Sequence, residues 1–354
     1  MDAYVQSLCR EIRLGPSGLL PRPLETLYLG GGTPSLLSPG MLEQILDQVQ
    51  ISYGLSSGCE ITLEVNPGTV DGRYLSQVKS LGVNRLSMGI QSFDAKRLAF
   101  LSRIHSVSQA IAAIEGARKA GFDNLGLDLI YGLPGETGAI REREVERALS
   151  FGPEHLSCYM LTLEPGTPLF AAHAQKKFKA QGPDSRAEAF IELGVFLEDR
   201  GYEHYEISNF ARKGYRSRHN SAYWKMSPYG AHGPAAHGLR QGEKGEWERY
   251  WNAPDTGAYI KALSSGQPPL GQSEILTRDQ WMIEWIMVGL RTREGIDMGA
   301  FKASCGVDFK ERFASLIQHL VDQGLGRCHR GGFCLTRAGW ARLDNIVESF
   351  YDEI

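Results

Sequence analysis

The run Gly30-Gly31-Gly32-Thr33-Pro34 is the first place in the sequence where the backbone itself could take part in chemistry. It follows the β-rich segment 26–29, and the carboxyl ends of barrel strands are where active sites lie. Glycines allow the backbone to approach a ligand closely because they have no side chain. The same run also suits a tight turn that needs positive φ angles, so both interpretations stay open at this point.

Polar side chains lie at or near the ends of the next three apolar segments. Glu64 begins Glu-Val-Asn-Pro, Gln91 lies in Gly-Ile-Gln-Ser, and Asp128 lies in Leu-Asp-Leu-Ile-Tyr-Gly. A single acid in such a place is often only a structural cap, but polar groups on successive strands favour a polar ligand held across a barrel mouth. Arg103 could supply a positive charge to a carboxylate of that ligand. Its alternative role is that of a surface arginine at a helix end.

A second cluster of chemically capable residues is His219-Asn220-Ser221-Ala222-Tyr223-Trp224. A neutral imidazole is a common axial ligand of haem iron, and the rings of Tyr223 and Trp224 offer a flat apolar surface to a porphyrin. The alternative is a core histidine packed beside two aromatic rings. Downstream, the glycine-rich segment 229–238 contains His232 and His237. Either is a candidate second axial ligand, or a loop histidine that satisfies backbone carbonyl groups.

Short apolar segments alternate with helical patterns over the first half of the chain, and these elements must position the candidate residues. The predicted strands are Thr26–Leu29, Ile61–Val65, Arg85–Ile90, Leu125–Ile130 and Leu156–Leu161. The predicted helices between them are Pro39–Ile51, Gly72–Leu81, Ser108–Ala120 and Ile140–Leu149. Near-continuously apolar strands separated by helices predict parallel βα units, and a repeat of about 30 residues suits a barrel.

The number of predicted strands is too small for a complete eight-fold barrel, which needs about 250 residues. Five strands are clear, and 202–207 is a candidate sixth. The sequence therefore predicts an α/β fold: a partial (β/α) barrel that begins on a helix, where Tyr4, Leu8 and Ile12 recur at helical spacing, and that lacks its first strand.

The second half of the chain predicts a different architecture. A helix is expected over Ser185–Arg200 and another over Arg278–Leu290, and residues 306–340 suggest two helices and a hairpin that turns at 330–332, as in a winged helix. We therefore expect three parts. They are a partial barrel over residues 1–200, a connecting segment over 201–270 that carries the His219 cluster, and a winged-helix-like domain over 271–354.

Composition limits the classes of function. The 354 residues carry a net charge of −3, which gives no reason to expect nucleic acid binding, and no apolar run approaches the roughly 18 residues of a membrane span. The six cysteines are scattered, and no two lie three or four residues apart. Iron–sulfur clusters need several converging thiolates, usually from one compact loop, and the sequence contains no such loop. Scattered cysteines make the cytoplasm the expected compartment.

The ordered motifs together resemble a known family. Gly-Gly-Gly-Thr-Pro, Glu-x-Asn-Pro, Gly-x-Gln-Ser, Arg-x-His-Ser and Asp-Leu-Ile-Tyr-Gly-Leu-Pro-Gly occur here in the order found in anaerobic coproporphyrinogen oxidases and the HemW-type haem chaperones, which are radical S-adenosylmethionine (SAM) proteins. The pattern His-Asn-x-x-Tyr-Trp is similar to the one that marks the HemW branch. The likeness covers nearly the whole chain, from the first helix to the carboxyl-terminal domain.

The resemblance implies a role for each candidate residue. Gly31, Gly32 and Thr33 would meet the methionyl amino group of SAM, and Arg103 would meet its carboxylate. Three further side chains would line the rest of the SAM pocket: Glu64, Gln91 and Asp128. His219, Tyr223 and Trp224 would bind haem, with His219 as the iron ligand and His237 as a possible second one.

The sequence departs from the family in one respect. Family members carry a Cys-x-x-x-Cys-x-x-Cys loop that holds a [4Fe-4S] cluster, and no such loop occurs among these residues, whether through a shortened start or through a real loss. The implied function is a haem-binding chaperone with a SAM-binding barrel. The alternative is a radical SAM coproporphyrinogen III oxidase, which needs the cluster.

The implied partner is a haem-acceptor protein, for which a respiratory-chain protein is one candidate. No nucleic acid partner is expected, because acidic residues interrupt the basic ones at the winged-helix-like end. No transmembrane segment is expected, because the sequence lacks a sufficiently long apolar run. Peripheral membrane association is left open.

Overall fold

The computed structural model describes residues 1–15, 23–242 and 244–354. Helices and strands alternate in its first part, as predicted. In chain order the elements are α1 Asp2–Leu14, β1 Leu24–Leu29, α2 Pro39–Tyr53, β2 Leu55–Val65, α3 Gly72–Ser80, β3 Arg85–Gln91, α4 Ala95–Phe100, α5 Val107–Lys119, β4 Leu125–Tyr131, α6 Gly138–Leu149 and β5 His155–Met160. Single turns of 3-10 helix lie at Pro34–Leu36 and Pro67–Thr69. All five predicted strands are present at or near the predicted positions.

The next elements complete one large sheet. They are α7 Pro168–Ala174, α8 Pro183–Glu198, β6 Glu203–His204 and β7 Asn209–Ala211. The sheet has seven strands in the order β1-β2-β3-β4-β5-β7-β6, of which β1 to β5 are parallel and β7 and β6 are antiparallel to their neighbours. The sheet curls into a half-barrel with β1 at one edge, which confirms the predicted partial barrel. The candidate sixth strand over 202–207 is present but shorter: Glu203 and His204 pair with β7, and Glu206 forms an isolated bridge to Thr292.

The strands of the half-barrel are not the near-continuous apolar runs that the sequence was expected to contain. In β2 the side chains of Ile61, Leu63 and Val65 belong to the apolar core, whereas Thr62 and Glu64 between them do not. Successive side chains of a strand point to opposite faces. One face of the sheet therefore packs on the helices, and the other, which we call the inner face, is polar.

Local sequence signals fix the helices that cover the outer face. Helix α5 begins at a capping box in which the Ser106 hydroxyl accepts from the Gln109 backbone N–H and the Gln109 side chain accepts from the Ser106 N–H. Helix α1 buries Val5, Leu8 and Ile12 on one face, as its amphipathic spacing predicts. These helices contribute to one core with the outward side chains of the strands.

A small second sheet follows the half-barrel. The elements are α9 Arg218–Trp224, β8 His237–Gln241, β9 Trp247–Asn252, α10 Thr256–Ser264 and β10 Leu270–Ile275, and the three strands are antiparallel in the order β10-β9-β8. The large sheet ends at Ala211, beyond the expected boundary at residue 200. The division into three domains at residues 200 and 270 stays a prediction.

The carboxyl-terminal part has the predicted helices followed by a hairpin. Its elements are α11 Arg278–Leu290, β11 Ile296–Asp297, α12 Met298–Cys305, α13 Phe309–Arg312, α14 Ala314–Asp322, β12 Gly326–His329, β13 Gly332–Leu335, α15 Arg337–Trp340 and α16 Leu343–Tyr351. Strands β12 and β13 are joined at residues 330 and 331, where Gly331 has φ 87°. A second apolar core forms around Phe301, Phe309 and Phe333, and it also takes in Phe190 of α8 and Leu239 of β8. Over the described residues, no helix combines the length and the apolar character that crossing a bilayer requires.

Candidate functional site

Polar side chains form a continuous layer on the inner face of the half-barrel. Residues that pair across the strands share a face, and the register pairs Thr26 with Glu60, Glu64 with Ser87 and Asp128 with Ser157. Strand by strand, the layer consists of Thr26 and Tyr28, then Glu60, Thr62 and Glu64, then Arg85 and Ser87, then Asp128, and finally His155, Ser157 and Tyr159. Several sequence-predicted residues therefore lie side by side on one surface.

Glu64 joins the glycine-rich turn to the second strand. Its carboxylate accepts hydrogen bonds from the Tyr28 hydroxyl at 2.8 Å and from the Gly31 backbone N–H at 3.2 Å. A Cβ at Gly30 would lie 2.6 Å from the Tyr28 ring and 2.9 Å from the Glu64 carboxyl carbon, so only glycine fits there. Gly31 has φ 100°, whereas Gly32 is exposed and faces open space. The positive φ of Gly31 agrees with the tight-turn interpretation, whereas close approach of this backbone to a ligand stays a prediction.

Asp128 lies half-buried on β4, separated from Glu64 of β2 by strand β3. The Ser87 hydroxyl is 3.1 Å from each of its carboxylate oxygens. Desolvation raises the pKa of Asp128 to about 6, although hydrogen bonds from Ser157 and Ser87 and the charge of Arg85 act in the opposite direction. A carboxylate in this state can accept hydrogen bonds from the hydroxyl groups of a polar ligand near neutral pH.

Gln91 and Arg103 approach the same end of the sheet. Gln91, the last residue of β3, has φ 66°, a conformation that a residue with a side chain rarely adopts and that clusters at functional sites. Arg103 is exposed and forms no ion pair with any described residue. The buried His105 holds the Arg103 loop in place, because its Nε2 lies 3.0 Å from the Ile90 carbonyl oxygen at the end of β3.

Helix α9, which carries the second predicted cluster, packs on the inner face at β1 and β2. It begins at Ser217, whose hydroxyl accepts from the Asn220 backbone N–H. The buried Glu60 carboxylate accepts from the backbone N–H groups of Arg218 at 3.1 Å and His219 at 2.9 Å. An acid at a helix amino terminus satisfies free N–H groups and complements the helix dipole. Glu60 therefore fixes α9 to the sheet.

Both ring nitrogens of His219 have partners. Nδ1 lies 2.9 Å from the Thr26 hydroxyl oxygen, and Nε2 lies 2.8 Å from the Tyr223 hydroxyl oxygen. The imidazole also stacks on Tyr28, with ring centroids 5.0 Å apart. Burial, together with the charge of Arg85, lowers the pKa of His219 to about 4. The ring is therefore neutral at physiological pH, which is the form that can ligate a metal.

The two aromatic residues of the cluster lie on different sides of α9. Tyr223 packs edge-on against His219 and against Tyr229. The Trp224 ring lies 4.7 Å under the guanidinium carbon of Arg291, and its buried indole N–H has no hydrogen-bond partner among the described residues. Arg291 belongs to the carboxyl-terminal part, so that part also contacts the cluster.

The other predicted histidines are separate from His219. His237 is exposed at the start of β8 and stacks on Trp251 at 5.5 Å. Nε2 of His232 lies 2.9 Å from the Tyr53 hydroxyl oxygen, and its Nδ1 lies 3.6 Å from a Glu11 carboxylate oxygen. No hydrogen bond or ring contact among the described residues joins either of them to His219. A second axial ligand from this segment stays a prediction.

Iron–sulfur ligands are not assembled in the described part of the chain. The six cysteines are all free, and the described His, Cys, Asp and Glu residues include no group of three that could hold a metal. Cys158 is buried and packs in the apolar core. These residues do not fit a [4Fe-4S] cluster, so we derive no reaction step through one.

Several residues of the inner face are not predicted from the sequence to belong to the site. They are Thr26, Tyr28, Glu60, Arg85, Ser87 and Ser157. The alternation Glu60-x-Thr62-x-Glu64 would have predicted that these positions share a face, but treating the strand as uniformly apolar concealed it. Their partners are distant in the chain, so spacing alone could not have identified the contacts.

Family models match both halves of the chain. The model described as Radical SAM superfamily matches residues 18–148, and the model described as HemN C-terminal domain matches residues 276–342. The first model thus covers the parallel strands β1 to β4 of the curled sheet, and the second covers most of the carboxyl-terminal part, including its hairpin.

Curated relatives match over nearly the whole chain. The protein named heme chaperone HemW from Lactococcus lactis subsp. lactis is 31% identical over 99% of this chain and 89% of its own length. The protein of the same name from Bacillus subtilis is 30% identical over 100% of this chain and 92% of its own length. Among solved structures, Escherichia coli coproporphyrinogen III oxidase (HemN), described as a radical SAM enzyme, superposes with a TM-score of 0.80 at 23% identity, over 100% of this chain and 83% of that one. This last likeness shows the fold.

Proposed function

Because the chain belongs to the HemW family of haem chaperones within the radical SAM superfamily, we propose that it binds haem at helix α9 and transfers it to an acceptor protein. We propose further that the end of the half-barrel at Gly31, Glu64 and Asp128 binds SAM. In this proposal His219 is the iron ligand, and the aromatic rings of Tyr223 and Trp224 provide apolar surface for the porphyrin.

The observation that carries the haem proposal is the state of the His219 ring. A histidine ligates haem iron through a neutral nitrogen lone pair, and a hydrogen bond at the other ring nitrogen orients the ring. His219 is neutral, and the Thr26 hydroxyl partners its Nδ1. Its Nε2 is then the nitrogen for iron, which requires the Tyr223 hydroxyl to move away from it. His219 thus suits the role of a haem-iron ligand once the Tyr223 hydroxyl has moved away from Nε2.

The SAM proposal rests on the donors and acceptors at the strand ends. Arg103 has no ion-pair partner among the described residues, so its guanidinium is available to the carboxylate of SAM. The backbone N–H of Gly31 binds Glu64, while Gly32 and Thr33 lie beside it. Gln91 and Asp128 supply polar groups further along the sheet, and Asp128 can accept from ribose hydroxyls. When bound, SAM is the family's source of a radical, but the described residues support its binding only.

A haem titration tests the proposal. We expect purified protein to give a saturable Soret band with ferric haem, and His219→Ala to weaken the binding at least 10-fold, in line with the loss of a metal ligand. His319→Ala is the matched control, because His319 is exposed on α14 in the other domain. His237→Ala tests the second predicted ligand in the same assay. Unchanged affinity in His219→Ala, with the fold intact by circular dichroism, would reject His219 as the ligand.

The transfer step needs its own measurement. Haem-loaded protein mixed with an apo-haemoprotein should transfer haem to that acceptor faster than haem dissociates from it into solution, and His219→Ala should abolish the difference. We place this activity in the cytoplasm, where thiols stay reduced, since all six cysteines lie in the described residues as free thiols.

A further inference from the structure

We propose that Thr26 is a positioning residue for haem binding: its hydroxyl oxygen accepts the Nδ1–H of His219 and so orients the ring with the Nε2 lone pair toward iron. This inference rests on the proposed function, because it names the residue that prepares the proposed ligand.

The two hydrogen bonds of the His219 ring decide which tautomer is present. A neutral imidazole has one N–H donor and one acceptor nitrogen, while a hydroxyl can play either role. The Tyr223 phenol is more acidic than the Thr26 alcohol and is the stronger donor, so it donates to Nε2 at 2.8 Å. Nδ1 therefore carries the proton and donates to the Thr26 oxygen at 2.9 Å. Both partners of the ring are hydroxyl groups, so neither hydrogen bond favours the charged form, in which both nitrogens would be donors.

Strand β1 fixes the orientation of the ring as well as its tautomer. Thr26 and Tyr28 are two positions apart and therefore point to the same face of the strand. Tyr28 stacks on the His219 ring at an interplanar angle of 26°, and the Tyr28 hydroxyl is held by Glu64. Glu60 binds the backbone N–H of His219 from the neighbouring strand. Contacts with the sheet thus occupy one face of the His219 ring, its Nδ1 edge and its backbone N–H. The Nε2 edge, which faces Tyr223, is left for iron.

The hydrogen-bond partner at the second ring nitrogen of a metal-ligating histidine contributes measurably to the affinity for the metal. Loss of such a partner typically costs about 10- to 100-fold in metal affinity, because the ring loses both orientation and basicity. Thr26→Val replaces the hydroxyl with a methyl group at nearly constant volume, and Thr26→Ser retains the hydroxyl. This pair separates the hydrogen bond from the packing.

We expect Thr26→Val to bind ferric haem about 10- to 100-fold more weakly than wild type, with an altered Soret maximum and altered electron paramagnetic resonance. Thr26→Ser should restore the affinity to within about three-fold, together with the wild-type spectra. Equal losses in Thr26→Val and Thr26→Ser would overturn the inference in favour of packing, and so would wild-type affinity and spectra in Thr26→Val. If His219→Ala binds haem normally, the proposed function fails first, and the titrations separate the two failures.

A measurement without haem or substitution of Thr26 covers the case in which Thr26→Val does not fold. Nitrogen-15 spectra of histidine-labelled apo protein distinguish protonated from unprotonated ring nitrogens, and comparison with His219→Ala assigns the His219 signals. A protonated Nδ1 and an unprotonated Nε2 support the proposal. The opposite tautomer at neutral pH would overturn it.

Discussion

Replacement of Tyr223 by phenylalanine should tighten haem binding, although Tyr223 belongs to the proposed haem site. In the structure the Tyr223 hydroxyl bonds the nitrogen of His219 that iron requires. Haem must therefore break that hydrogen bond before the imidazole can ligate. Phenylalanine keeps the aromatic ring that packs against His219 at 4.9 Å and removes only the competing hydroxyl.

The magnitude follows from the net value of one hydrogen bond. Such a bond contributes about 0.5–1.5 kcal/mol, and 1.4 kcal/mol corresponds to ten-fold in an equilibrium constant. Tyr223→Phe should therefore lower the dissociation constant of ferric haem by about 2- to 12-fold. The apo protein should lose stability by a similar amount, because Nε2 is left without its donor.

The assay is a Soret titration at pH 7.5 with wild type, Tyr223→Phe and Tyr229→Phe. Tyr229 is the control because its ring packs against Tyr223, whereas its hydroxyl lies 3.5 Å from Arg249 and makes no contact with His219. We expect Tyr229→Phe to bind haem within two-fold of wild type. Weaker binding by Tyr223→Phe would refute the reasoning, since it would mean that the hydroxyl contacts haem or iron instead of competing with it.

Three further outcomes follow from the same contacts. Glu60→Gln removes the negative charge that holds the first N–H groups of α9, and we expect it to lower the free energy of unfolding in urea by about 1–2 kcal/mol. The control Glu43→Gln, at an exposed position on α2, should cost less than about 0.5 kcal/mol. Equal losses would show that the charge at α9 contributes nothing. Gly30→Ala places a Cβ 2.6 Å from the Tyr28 ring and should lower the free energy of unfolding by about 1–3 kcal/mol. Gly32→Ala is the control, because a Cβ there faces open space. Stability is again read from urea midpoints, and a Gly30→Ala variant as stable as the control would contradict the close approach. Because the pKa of His219 is lowered to about 4, haem affinity measured by Soret titration should stay level from pH 8 to about pH 5. Below pH 4 it should fall about ten-fold per pH unit, because protons then compete with iron for the ring nitrogen. A fall centred near pH 6.5 would mean that the ring is exposed.

The amino-acid sequence by itself determined the order and type of the main elements. The strands from Thr26 to Leu161 were placed to within a few residues, with the exception of the long amino-terminal extension of β2, and α11 was placed at its observed ends. These predictions succeed because apolar periodicity, capping residues and glycine turns act over a few neighbouring residues. The family was also recognisable from the sequence, because its motifs are short and lie next to strand ends.

Tertiary structure alone decided what each polar residue contacts. His219 and Thr26 are 193 positions apart, and Glu60 reaches the start of α9 across 159 positions to His219. No local pattern encodes such pairs, since they depend on the curvature of the sheet and on the packing of α9 against β1. The same packing leaves His237 exposed on another strand, although its place in the glycine-rich segment had made it a candidate second ligand. Burial beside Arg85 then sets the neutral state of His219, which the residue type cannot determine.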